Sequence, residues 1–288
     1  MSMFDSLLPA STQGTSVEKV ATIESICFPV AKVPLYWNAG DGSQFVPSDV
    51  KESGYSGILN VSTNEILYAG KEYKIVDNNV IAKAIRSIEV AGWVVASVRN
   101  LGDRKFYIDI RNPNMRAEMH VGERTFTVDA RVRIINSYDG SLAFGIQGGF
   151  WIQVCGNGAT VGDIIAVKKK HQGDDIESSI VDSIMSMTSE RFLKAVSKVS
   201  DMFAKEMTPE EVGELVKRLT QDIPDTKDGI HPVKLAVIER CKKEHAEYNN
   251  GPFAVFMAVT NITTYPQNYS VPPSYLLALE RRTLEIFG

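Results

Sequence analysis

Between residues 105 and 135 the chain alternates apolar and polar side chains with a period of two. Phe106, Ile108 and Ile110 fall on one side, with Lys105, Tyr107, Asp109 and Arg111 on the other. Residues 124–135 repeat the pattern, with Phe126, Val128, Ala130, Val132 and Ile134 against Thr125, Thr127, Asp129, Arg131 and Arg133. Half-buried antiparallel strands produce such alternation, and a helix would need a period near 3.6. Residues 93–100, 142–146 and 150–155 read as further strands, the last two split by Gly148-Gly149. Asp139-Gly140 reads as a tight turn.

The period then changes. Residues 176–187 and 189–204 read as helices, the second with Phe192, Val196, Val199 and Phe203 on one stripe. Thr208-Pro209-Glu210-Glu211 is a helix start: a capping hydroxyl, proline in the first turn and a glutamate three residues on. Helices are also expected at 233–248, 253–260 and 274–287. An earlier one is expected at 78–91, capped by Asn78 or Asn79 and ended by Gly92. Short strand-like runs occupy 28–36, 58–61, 65–68 and 72–76. The expected class is α+β, a mostly antiparallel β region with an early helix, followed by a helical C-terminal part. Residues 1–25 read as a flexible leader and 26–172 as a β-rich core. Residues 173–288 read as a helical region packed on that core as one domain.

No apolar run approaches the roughly 18 residues that a membrane helix needs, and the N-terminus lacks the pattern of a secretory signal. Cys27, Cys155 and Cys241 are widely spaced and form no CxxC pair. Neither a disulfide framework nor a zinc knuckle is indicated, and a reducing cytoplasm fits.

The net charge of −4 is unevenly spread. Residues 83–170 carry 13 Lys/Arg against 8 Asp/Glu, leaving 18 basic and 27 acidic residues elsewhere. A basic middle between acidic flanks points to an anionic partner. Lys105, Tyr107, Arg111, Arg131 and Arg133 share the polar strand face, and Arg99 on the preceding strand extends it. Lys168, Lys169 and Lys170 follow close behind. Cations that track phosphates and a tyrosine that stacks on bases suit single-stranded nucleic acid. The same pattern also suits a solvated face paired across strands with Asp109 and Asp129, and lysines also blunt sheet edges.

The glycines of 145–162 match neither a P-loop nor a dinucleotide fingerprint and suit bulges and corners instead. His120, His171, His231 and His245 show no metal-ligand spacing. Cys155, His171, Asp174 and Asp175 are the nearest approach to a catalytic cluster; a buried core cysteine and a helix start are the plainer readings.

Three short motifs occur in order: Asn136-Ser137-Tyr138-Asp139-Gly140-Ser141, Val154-Cys155-Gly156-Asn157-Gly158 and Lys170-His171-Gln172-Gly173. Together, over roughly residues 90–265, they resemble the phage/plasmid-like proteins of unknown function. Gly156 departs from the usual Ser or Glu at the corner. The order of helix, antiparallel region and helix looks like the core of single-strand annealing proteins of the RecT, Redβ and Erf class. The resemblance implies a non-enzymatic, cofactor-free protein of the bacterial host cytoplasm. It would bind and anneal single-stranded DNA as a homo-oligomeric ring or filament, away from membranes. Tyr107 or Tyr138 would stack on bases. The rival expectations are a protein-interaction factor for host takeover or anti-defence, and a hydrolase built on the Cys155 cluster.

Overall fold

The computed structural model describes residues 22–38, 50–71, 75–153, 157–160, 176–227 and 229–287. Two antiparallel meanders form its β part. The smaller joins β1 (Val30–Asn38), β2 (Val50–Asn60) and β3 (Glu65–Gly70). The larger runs in chain order through β4 (Val94–Leu101), β5 (Lys105–Val121), β6 (Arg124–Ser137), β7 (Gly145–Ile152) and β8 (Asn157–Thr160). Between them lies α1 (Asn78–Ser87). After them come α2 (Ile176–Met185), α3 (Ser189–Phe203), α4 (Pro209–Thr220), α5 (Pro232–Tyr248), α6 (Gly251–Thr264) and α7 (Pro273–Phe287). The fold is α+β, with an early helix and a helical C-terminal part.

Several boundaries differ from the sequence expectation. Strand β5 runs ten residues past Arg111, because a register shift between Asn112 and Arg116 absorbs Pro113 as a bulge. Strand β7 is unbroken through Gly148-Gly149, and the Met187 side chain fills the space that a Cβ on Gly148 would take. Residues 142–144 form no strand. There the Ser137 hydroxyl donates to the Leu142 carbonyl at 2.9 Å and accepts from its N–H at 3.2 Å. The cap of α1 is Asp77, which accepts from the Asn79 N–H at 2.8 Å, while Asn78 turns inward. The helix gives way to a 3₁₀ turn at Glu89–Ala91 before Gly92. Residues 24–26, at the end of the expected leader, form another such turn, and Ile26 is fully buried.

The apolar face of the large sheet carries the core. Phe126 packs on Phe253 with ring centroids 5.0 Å apart, and Phe150 on Phe256 at 5.9 Å. Every residue of α6 is buried. An all-round apolar helix of 14 residues spans about 21 Å, too short for a bilayer of about 30 Å, and it is enclosed by protein instead. Among the described residues no helix is long and apolar enough to cross a membrane. One continuous hydrophobic cluster links Ile58 and Leu67 of the small sheet, Ile81 of α1, the large sheet and α2 to α7.

The Asn136–Ser141 motif does structural work. Asn136 Nδ2 donates to the Val76 carbonyl and to Asn78 Oδ1, both at 2.8 Å. The Asn78 N–H donates to the Tyr138 hydroxyl at 2.8 Å. Asp139 accepts from the N–H and hydroxyl of Ser141, and Gly140 takes φ +67°. The motif therefore bolts α1 to the end of β6 and turns the chain. The second and third motifs lie largely outside the described residues, as do Cys155, His171, Asp174 and Asp175.

Candidate functional site

Register gathers the polar side chains of four strands on one face. Arg99 lies opposite Tyr107. Asp109 lies opposite Arg133, and Arg111 opposite Arg131. Arg133 in turn faces Gln147, Arg131 faces Gly149 and Asp129 faces Trp151. The face has a closed half and an open half.

In the closed half Asp109 is the hub. Its Oδ1 accepts from Arg131 Nε at 3.0 Å, Arg131 Nη2 at 2.5 Å and Arg133 Nε at 2.8 Å. Its Oδ2 accepts from Arg133 Nη2 at 3.1 Å and from the Ser97 hydroxyl at 2.9 Å. Arg133 Nη1 also bonds Glu280 Oε1 on α7 and contacts the Thr263 carbonyl of α6 at 3.4 Å. Burial alone would raise the Asp109 pKa; Arg131 and Arg133 outweigh it and hold the carboxyl far below the usual carboxylate range. Burial, with Arg133 adding repulsion, pulls Arg131 down to about 10 and Arg99 to about 9. The Arg99 guanidinium carbon lies 4.8 Å from the Tyr107 ring centroid, and that of Arg133 lies 6.0 Å from it.

This half corrects the expected solvent-facing track. Tyr107 and Arg133 are 0% exposed, Arg131 1% and Arg99 9%. Tyr107, Ile135 and Leu142 pack with Leu101 and with Leu277 of α7, and Glu280 joins from the same helix. Tyr138 is corrected too. It is fully buried against Phe28 and Phe106, and its hydroxyl serves the α1 backbone. Lys105 reaches the surface but pairs with Asp139 at 3.3 Å. Lys168, Lys169 and Lys170 lie outside the described residues.

The open half is built around Asp129. Its carboxylate accepts from Arg111 Nη1 at 2.8 Å, Arg116 Nε at 3.0 Å and Gln153 Nε2 at 2.9 Å and 3.0 Å. Asp129 is fully buried, while the Arg111 and Arg116 side chains are 34% and 51% exposed. Arg111, Gln153, Val95 and half-buried Trp151 line a depression of about 420 Å³. Arg116 borders a second, of about 680 Å³, with His120, Thr127 and Ser197. Two guanidiniums share one carboxylate here beside a half-buried indole, and Glu118 and Asp201 line the depression that Arg116 borders. Among the described residues no group of three His, Cys, Asp or Glu side chains is arranged to hold a metal ion.

Arg116, Trp151 and Gln153 were not singled out from the sequence. Arg116 lies beyond Arg111, where the alternation read from the sequence ends. Trp151 and Gln153 alternate with Phe150 and Ile152, and that signal was available in the sequence. Of the expected binding residues that are described, the structure brings Arg99, Tyr107, Arg131 and Arg133 together inside, and Arg111 alone belongs to the open half.

A family model described as Domain of unknown function (DUF932) matches residues 67–269. The chain belongs to that family. The DUF932 match starts within β3 and ends at Tyr269. It includes both halves of the polar face, but not α7 with Glu280. No curated protein and no solved structure matches the chain.

Proposed function

We infer that this DUF932 chain binds single-stranded DNA and anneals complementary strands, without catalysis, as a homo-oligomer of phage or plasmid origin. The observation that carries the reading is the Arg111–Asp129–Arg116 cluster beside Trp151 on the open half of the sheet. Arginines meet phosphates and an indole stacks on any base, so binding needs no sequence readout. Asp129 fixes both guanidiniums in place, which lowers the cost of ordering them on contact with a strand. In the sequence, three further basic residues, Lys168, Lys169 and Lys170, follow β8. The helix, antiparallel meander and helix order, like that of single-strand annealing proteins, supports the same reading by analogy. The scheme calls for no metal or nucleotide.

Fluorescence polarisation with a labelled single-stranded oligonucleotide tests it at two salt concentrations. Replacing Arg111 and Arg116 by Ala is expected to weaken binding and flatten the salt slope by about 1.4, the value for two phosphate contacts on a single strand. Trp151→Ala is expected to cost about 1–3 kcal/mol with the slope unchanged, since stacking releases no counterions. Wild-type affinity that is flat with salt, or a double variant that binds as tightly as wild type, overturns the reading.

A further inference from the structure

Strand β4 stops short of the far half of β5. Its pairing ends at Val94, opposite Arg111. Beyond that point β5 meets helix α3, where the His120 N–H donates to the Ser200 hydroxyl at 3.3 Å. Between strand and helix lies the cleft of about 680 Å³ that Arg116 borders, a size that suits a small-molecule site.

The hydrogen bond to Ser200 also gives the direction of the main chain. The His120 N–H points away from β6, and so do the main-chain groups two residues earlier, because a strand alternates the direction of its N–H and C=O groups. The facing strand agrees: Thr127, opposite Glu118, turns its carbonyl to the Gln153 N–H at 3.1 Å. The N–H and C=O of Glu118 thus face the cleft as a short open sheet edge, and an extended peptide adds to such an edge.

The lining side chains carry both signs of charge. Arg116 bonds Asp129 through Nε, which leaves its two terminal nitrogens for another carboxylate. The Glu118 and Asp201 side chains are exposed and have no ion pair among the described residues. Asp201 adjoins Ser200 and so marks the His120 end of the cleft. Leu193, Ser197 and Asp201 recur every four residues on one stripe of α3, and Leu193 is 52% exposed. A purely anionic ligand would meet Glu118 and Asp201, and a purely cationic one Arg116. A ligand with one end of each sign and a backbone between them meets all three. Arg116 and Glu118 are two residues apart on β5, about 7 Å, and Arg116 and His120 four, about 14 Å. An extended dipeptide spans about 7 Å and a tetrapeptide about 14 Å, so a single amino acid is too short.

We propose that the cleft between β5 and α3 binds a short peptide with free ends, two to four residues long, running antiparallel to β5. Its carboxylate sits on Arg116, its ammonium on Glu118 or Asp201 according to length, its main chain on that of Glu118, and an apolar side chain on Leu193. The site borders the Arg111–Trp151 surface but does not rest on strand binding there.

Isothermal titration calorimetry of the full chain tests this with Ala-Leu, Ala-Leu-Ala and Ala-Leu-Ala-Ala, with free leucine as the length control. Saturable binding is expected for at least one peptide and not for leucine. Acetylating the amine or amidating the carboxylate of that peptide is expected to weaken it at least about ten-fold, since each removes a charge-assisted contact. Glu118→Gln combined with Asp201→Asn is expected to bind the acetylated and free forms alike and still to reject the amide. Arg116→Gln is expected to do the reverse. All three side chains are exposed, so these variants are expected to keep the wild-type unfolding midpoint. Absence of saturable binding by every peptide overturns the proposal. So do leucine or capped peptides that bind as tightly as free ones, and variants that discriminate as wild type does. Oligonucleotide affinity measured alongside keeps the two readings apart, because the acidic pair of substitutions is expected not to weaken it.

Discussion

Asp109 shows what one carboxylate does inside a sheet. It is fully buried and bonded to two guanidiniums, and a helix arrives to cap the second of these. Asp109→Asn removes the charge and leaves those guanidiniums without their counterion. Breaking a buried pair on one side costs about 3–5 kcal/mol, so urea denaturation is expected to show a loss of that order. The carboxyl is depressed in the fold relative to its unfolded value of 3.8. Its stabilisation is therefore complete above about pH 5 and is lost as the pH falls below about 4 toward the folded value. The stability gap between wild type and Asp109→Asn is expected to narrow over that acid limb. A gap that stays constant down to pH 2 would show that the charge does not stabilise the fold. Alternation in the sequence placed Asp109 on the same face as Arg131 and Arg133, and cross-strand pairing was one of two readings left open. What the sequence did not carry was the cover, because nothing in the local pattern of 105–135 announces Leu277 and Glu280.

At the level of elements, local chemistry was legible wherever one short segment decides the outcome. The α4 start has the capping box that Thr208 and Glu211 imply. The Thr208 hydroxyl accepts from the Glu211 N–H at 3.3 Å, and the Thr208 N–H donates to Glu211 Oε2 at 2.8 Å. Thr208→Ala is expected to lower stability by about 1 kcal/mol, read as a shift of the denaturant midpoint with unchanged slope. A drop above 3 kcal/mol would show a role beyond the cap. Strand ends were less legible. The alternation in the sequence ends at Arg111, yet a bulge between Asn112 and Arg116 carries β5 on to Val121, which is how Arg116 reaches Asp129. The Gly148-Gly149 pair suggested a break, yet the space above Gly148 is taken by Met187 from the α2–α3 connection. At Gly148 a distant contact settles what the local sequence leaves open.

A small cluster of Tyr107, Ile135 and Leu142 aside, the described residues share one large hydrophobic cluster. The same hydrophobic cluster contains residues of both sheets and of all seven described helices, so neither the β-rich part nor the helical part has a core of its own. Phe126, Phe203, Phe253 and Phe256 form a chain of ring contacts across that junction. Unfolding followed by indole emission, which reports on Trp37 of β1, Trp93 just before β4 and Trp151 of β7, is expected to coincide with unfolding followed by far-ultraviolet circular dichroism, which reports on the helices. Two separated transitions would show that the halves are independent units. The expectation of a helical region packed on a β-rich core came from the switch of hydrophobic period near residue 176. The degree of merging did not, because α6 is apolar on every side and so shows no amphipathic direction.

The bond between Arg133 and Glu280 joins positions 147 residues apart. During synthesis, the guanidinium on β6 emerges from the ribosome long before its carboxylate partner. Until α7 follows, the nascent sheet presents a charged face without its Glu280 partner. The polar interior is therefore a late closure, and a chain interrupted before position 280 would display cationic side chains that the finished protein keeps hidden.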